Sequence, residues 1–331
     1  MLHYPGHLKY NTSGKPSQSE DVPALVYGCM DFAKNWDKHA LCEMGAAYRK
    51  ERSTLACDIL ECCLENGLNF FDHADIYGCG KSEEIFAQAM RDLQVPREQY
   101  ILQSKCGIIL PEQPQQTAYY DFTASYIVAQ AESSLRRLQT DYLDILLLHR
   151  PDALVDPAEV AGAFAKLQRQ GKVLAFGVSN HSAAQIALLQ AQMPFPLAYN
   201  QMQISLLHHE LLSSGLEYNT ANPVKPYFDI VDYCRLHNIR LQAWSPVARG
   251  KIFSSSANRL QRELAQLARA KNCSPGALAI AWLLHHPAGI QPVMGTTKVE
   301  RLKDYCNACA VRLSKREWYQ LLVAAREKNL P

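Results

Sequence analysis

The sequence predicts an α/β fold, specifically a (β/α)8 barrel. Two observations carry that prediction. Eight short apolar runs recur along the chain, each followed by a helical pattern. Most of the runs are continuously apolar rather than alternating, as strands buried on both faces of a parallel sheet are. Repeated strand–helix units of this number close into a barrel. A doubly wound sheet is the competing arrangement. Its first turn wants a glycine-rich fingerprint, and 25–32 holds only Gly28.

The apolar runs fall at 24–28, 68–72, 101–105, 143–149, 174–179, 198–202, 239–244 and 291–294. The helical patterns fall at 45–66, 82–93, 123–138, 156–170, 182–192, 227–237, 275–285 and 299–309. Thr123, Ser182 and Ser274 suit N-caps, where a side-chain oxygen accepts from an unpaired first-turn amide. Pro157 and Pro275 suit first-turn positions, which need no amide hydrogen. Gly67 and Gly171 sit where helices should stop. Two patterns are extra to the barrel: 257–271, before the seventh barrel helix, and 314–327 at the end. With no repeat, low-complexity segment or linker, 1–331 reads as one barrel domain, and 1–22 as a cap or a loose segment.

Composition narrows the function classes. A hydrophobic content of 48% against 20% charged residues can fill a large core. A formal net charge of +2 without a long basic run argues against a nucleic-acid surface. The first 20 residues carry no apolar signal core, and no run is long enough to span a bilayer. A cytoplasmic protein is expected. Eleven irregularly spaced cysteines fit reduced thiols better than a disulfide framework. Cys306 and Cys309 form a CxxC inside a helical pattern, where they read as packing residues.

In such a barrel the active site lies at the C-terminal strand ends. Polar residues fall there in order: Asp72 with Tyr77 beyond it, Lys105, His149, Ser179 and Asn180, Asn200 and Gln201, Trp244 and Ser245, then Gly295, Thr296 and Thr297. Singly, Asp72 reads as a turn cap, Lys105 as a solvated strand end and His149 as a satisfied core histidine. Together they would fill the barrel mouth with unpaired polar groups, which burial penalises. A carboxylate, a phenol, an ammonium and an imidazole gathered there point to proton chemistry. Gly80, Lys81 and Ser82 resemble the end of a phosphate-binding loop, but Asp75 stands where that loop needs glycine. Ser82 reads instead as an N-cap, with Glu83 and Glu84 in the first turn. No metal site is expected: at Asp72, His73 and Asp75 Lys105 would compete for the carboxylate, and the pairs His208–His209 and His285–His286 lack zinc spacing.

The segments LNFFDHADIYGCGKSE, LQSKCGI, SLRRLQTDYLDILLLHRPD, GKVLAFGVSN, YNQMQISLL, QAWSP and PVMGTTKVERL resemble the aldo-keto reductase family, across roughly 25–313. The DHADIYG, SKCGI and HRPD wording is most similar to its bacterial oxidoreductase subgroup. The resemblance implies a catalytic tetrad of Asp72, Tyr77, Lys105 and His149. Tyr77 would protonate a carbonyl oxygen that accepts hydride, with Lys105 lowering the phenol's pKa and Asp72 holding Lys105. His149 would orient the carbonyl.

The resemblance also implies NADP(H), bound without a Rossmann fold. Ser179, Asn180 and Gln201 match the residues that hold the carboxamide, and Trp244 the ring that stacks on the nicotinamide. Ser245, Pro246, Arg249, Gly250 and Lys251 match the loop over the pyrophosphate, and Gly295, Thr296, Thr297, Lys298 and Arg301 the 2′-phosphate site. Met30 is a further expected cofactor contact. Two departures stand out. Many relatives have glycines where this chain has Val247, Ala248 and Arg249, and Glu and Asn where it has Asp304 and Tyr305. The expected partner is a small carbonyl substrate, in a pocket drawn from 30–36, 110–122 and 205–226, including Phe32, Trp36, Tyr119, Tyr120, Leu206 and Tyr218. A cofactor-sensing, partner-binding subunit with little turnover, such as the potassium-channel β subunits, would keep the same tetrad and stays open.

Overall fold

The computed structural model describes residues 23–34, 45–111, 113, 115–217, 229–254 and 258–331. Its strands are β1 (Val26–Gly28), β2 (Phe70–Asp72), β3 (Ile101–Cys106), β4 (Ile108–Ile109), β5 (Tyr119–Tyr120), β6 (Leu143–Leu148), β7 (Val173–Ser179), β8 (Tyr199–Gln203), β9 (Arg240–Trp244) and β10 (Gln291–Met294). Eight of them close a barrel in the order β1-β10-β9-β8-β7-β6-β3-β2, and every barrel pairing is parallel. Each predicted strand is present. The remaining two, β4 and β5, form a short antiparallel hairpin after β3 that the sequence did not announce.

The helices Ala46–Glu65, Lys81–Asp92, Ala124–Leu138, Pro157–Arg169, Ala183–Gln190, Ile230–Leu236, Pro275–Leu284 and Val299–Cys306 follow the barrel strands in turn. Arg259–Ala270 and Lys315–Arg326 are the two extra helices the sequence predicts, and a further short helix, Glu210–Ser213, follows β8. Thr123, Ser182 and Ser274 accept from the amides of Tyr126, Gln185 and Ala277, as N-caps do. Gly67 and Gly171 take positive φ, which ends their helices without strain.

Ser82 is a correction. The helix begins one residue earlier, after Gly80 turns left-handed at φ 87. Ser82 therefore lies inside the first turn, fully buried. Its hydroxyl donates to the Met30 carbonyl at 3.1 Å and accepts from the Ala33 amide at 3.3 Å. It stitches the loop after β1 to this helix.

Two apolar layers result from the strand alternation. Val26, Phe70, Ile101, Ile145, Leu147, Ala175, Tyr199 and Val293 cluster inside the barrel. The larger layer lies between the strands and the helices, where Trp282 and Trp318 stack at 5.0 Å. The segment 1–22 lies outside the described residues, as do Trp36 and Tyr218. Among the described residues no helix is long and apolar enough to cross a membrane.

Candidate active site

Strand periodicity carries the inward faces of the barrel up to its mouth. Residues two apart share a face, so Phe70 leads to Asp72, Ile101 to Gln103 and Lys105, and Leu147 to His149. Ala175 leads through Gly177 to Ser179, Tyr199 to Gln201, and Gln242 to Trp244. The apolar interior thus gives way to polar groups within one layer.

Lys105 organises that layer. Its ammonium is fully buried and donates to Asp72 Oδ2 at 2.7 Å, the His73 carbonyl at 2.8 Å and Tyr77 Oη at 3.0 Å. All three of its protons are therefore used. Burial works against its charge, but Asp72 and Tyr77 outweigh burial and hold its pKa above the usual lysine value. Asp72 Oδ1 accepts from Gln103 Nε2 at 2.6 Å and Gln201 Nε2 at 3.0 Å. Both amides also donate to Gln242 Oε1, at 2.9 and 3.0 Å. Gln103 and Gln242 were not singled out in the sequence. Their signal was present: a glutamine inside an apolar strand, two residues before Lys105 and Trp244.

Tyr77 and His149 face one another edge to face, ring centroids 5.8 Å apart. Burial raises the Tyr77 phenol above its usual pKa. Lys105 lowers it as expected, but burial wins. His149 is held well below its usual value by burial, then by Lys105 and Arg150, so its ring is neutral. His149 Nδ1 is buried without a hydrogen-bond partner.

The next strands supply a linked amide system. Asn180 Nδ2 donates to Ser179 Oγ at 2.8 Å, and Asn180 Oδ1 accepts from Trp244 Nε1 at 3.0 Å. Ser179 Oγ donates to the Gln201 carbonyl at 2.8 Å. Asn180 and Ser245 both sit at positive φ (62 and 53), a strained conformation that fixes their side chains at the mouth. In the loop after β9, Ala248, Arg249 and Gly250 are left-handed too. The loop makes with two non-glycine residues the turns that glycines make elsewhere.

A cavity of about 860 Å³ opens over these groups. It brings together Met30, Asp72, Tyr77, His149, Ser179, Asn180, Gln201, Trp244, Ser245, Pro246, Arg249, Gly250, Gly295, Thr296, Thr297, Lys298 and Arg301. Lys105 lies beneath its floor. Lys251 is exposed and is not among the residues that line it. At one end, Lys298 caps the helix Val299–Cys306 with no side-chain partner for the first-turn amides. Those amides, with Lys298 and Arg301, make an anion-receptive corner. Tyr305 lines that end, whereas Asp304 turns to accept from the Ser274 hydroxyl.

Of the residues expected to form the substrate pocket, the four that are described do not line the cavity; Trp36 and Tyr218 lie outside the described residues. Phe32 is fully buried against Tyr27, Leu206 is buried, and Tyr119 and Tyr120 point outward on the β4–β5 hairpin. Ile76, Ile108 and Phe253 line the cavity instead, with Asp31 and Arg150 as charged residues the sequence did not place.

Against known proteins, the chain matches the model of the Aldo/keto reductase family over residues 24–324. It is 36% identical over 280 residues to the uncharacterized oxidoreductase YcsN of Bacillus subtilis, covering 82% of this chain and 89% of that one. It is 35% identical over 275 residues to a 6-dehydroglucose reductase of Agrobacterium fabrum, covering 82% and 88%. An aldo-keto reductase from Klebsiella pneumoniae, solved in complex with NADPH, superposes with a TM-score of 0.69 at 26% identity over 91% of this chain and 90% of that one.

Proposed function

The chain belongs to the aldo-keto reductase family, and from that premise we propose that it reduces aldehydes or ketones with NADPH, Tyr77 serving as the general acid. One observation carries the reading. A single buried ammonium, Lys105, bonds both a carboxylate and the phenol that faces the cavity.

The cavity fits the cofactor. Ser179, Asn180 and Gln201 would hold an amide, and Trp244 offers a flat face beside them. Arg249, Lys298, Arg301 and the first turn of Val299–Cys306 would take phosphates. The 2′-phosphate of NADPH is what two cations at that corner favour. When bound, NADPH would supply the hydride.

The chain's own residues do the rest. Neutral His149 donates an N–H to the carbonyl oxygen and orients it toward Tyr77. As negative charge develops on that oxygen, Tyr77 Oη gives up its proton. The phenol's raised pKa keeps it protonated at neutral pH until then. The phenolate left behind is stabilised by Lys105 Nζ, 3.0 Å away, and Asp72 keeps that ammonium charged and placed. Such acid catalysis is worth roughly 10²- to 10⁴-fold.

The test is oxidation of NADPH and of NADH by the purified chain across a panel of aldehydes and ketones. Turnover with NADPH at a kcat/KM at least ~10-fold above NADH is the expected result, since the phosphate corner is charge-assisted. NADPH that binds without turnover on any carbonyl would contradict it.

A further inference from the structure

Arg150 is a cation in the reaction cavity that nothing in the mechanism above uses. It follows His149 directly, and its guanidinium lies 5.8 Å from the centre of the Trp244 ring. Among the described residues no carboxylate pairs with it. Its charge reaches the reacting groups, because it helps depress the His149 pKa. The other lining cations, Arg249, Lys298 and Arg301, come from the segments after β9 and β10, the region assigned above to phosphates. The lining also includes the apolar Ile76 and Ile108, beside the neutral amides of Asn180 and Gln201.

Resting on the reductase reading, we propose that Arg150 receives a carboxylate carried by the carbonyl substrate, so that the preferred substrates are oxo acids and not neutral aldehydes. A guanidinium seated over an aromatic face keeps its planar fork free for bidentate bonding to a carboxylate. One cation matches one negative charge, whereas a phosphate calls for several donors, as at the opposite end of the cavity. An anion there also offsets the positive charge that Lys105 and Arg150 together place around His149. Ile76 and Ile108, which line the same cavity, suit the carbon segment joining carboxylate to carbonyl. Arg150 is then a specificity-determining residue: it touches substrate but no reacting atom.

The experiment compares matched aldehydes that differ only in charge. These are succinate semialdehyde, glutarate semialdehyde and carboxybenzaldehyde, each beside its carboxamide counterpart, with wild type, Arg150→Gln and Arg150→Lys. In the wild type, kcat/KM for the best carboxylate should exceed that of its amide by at least ~10-fold. In Arg150→Gln that ratio should fall ~10- to 100-fold, chiefly through KM, while Arg150→Lys keeps part of it. NADPH affinity should stay with the wild type. A wild type without carboxylate preference would overturn the inference and leave the reductase reading intact. So would a variant in which both members of each pair fall equally, or one whose NADPH binding weakens in step with turnover. Absence of turnover with every aldehyde, while NADPH binds, would sink the reductase reading and this inference with it.

Discussion

At Asp75, burial and a neighbouring carboxylate push the same way. Burial first, then Glu83, raise its pKa from 3.8 to about 8, and Oδ1 has no hydrogen-bond partner. The folded chain therefore keeps a proton on Asp75 that the unfolded chain releases. That stability is fully present below pH 3.8 and is lost as pH rises through about 8. Asp75→Asn removes the titration. Its melting temperature should gain on the wild type from pH 5 to about pH 8 and then level off, as read by calorimetry. A difference independent of pH would contradict this account of Asp75.

The same scale marks what sequence can and cannot disclose. Asp72, Tyr77, Lys105 and His149 were legible because each follows an apolar strand whose end must lie at the barrel mouth. Gln103 and Gln242 were not, because a neutral amide within a strand carries no chemistry until its cross-barrel partner is known. Ser82 looked like a cap because nothing local reveals that Gly80 turns left-handed and starts the helix early. Net pKa values were hidden for a related reason. The pull of Lys105 on Tyr77 can be argued from residue types, but burial, the larger effect, depends on the assembled barrel.

Among the elements, β7 and β8 leave no room for a side chain where Gly177 meets Tyr199. A Cβ at Gly177 would stand 2.6 Å from the Tyr199 carbonyl oxygen, 2.7 Å from Leu147 Cδ2 and 2.9 Å from Tyr199 Cβ. The obstacle is partly backbone, so it cannot simply rotate away. Gly177→Ala should cost about 1–3 kcal/mol by overpacking, measured as a lower urea midpoint. An unchanged midpoint would show that the strands separate freely there. The elements themselves were largely legible from apolar runs and caps. The hairpin was not. Each of its strands is two residues long, and Tyr119 and Tyr120 are exposed, so neither periodicity nor burial announces them.

Over the whole molecule, several buried imidazoles set the response to acid. His73 is lowered to about 3 and His181 to about 4, both chiefly by burial, and His149 is also held well below its usual value. Each is neutral when folded and takes up a proton when unfolded below pH 6.5. Stability should therefore decline as pH falls from about 6.5 toward 3. At pH 5 His73 and His181 would bind about two protons on unfolding, His149 acts in the same direction, and Asp75 would release about one. Net uptake should be about one or more, read from the slope of unfolding free energy against pH. Zero uptake would mean that the imidazoles are not buried as described.

The central claim concerns Tyr77, and a stopped-flow comparison of wild type with Tyr77→Phe tests it most directly. NADPH fluorescence first gives the binding constant, and addition of an aldehyde then gives the rate of NADPH oxidation in one turnover. If Tyr77 is the acid, the variant binds NADPH as the wild type does, and its oxidation rate falls by roughly 10²- to 10⁴-fold. Single-turnover oxidation at the wild-type rate in Tyr77→Phe would contradict it.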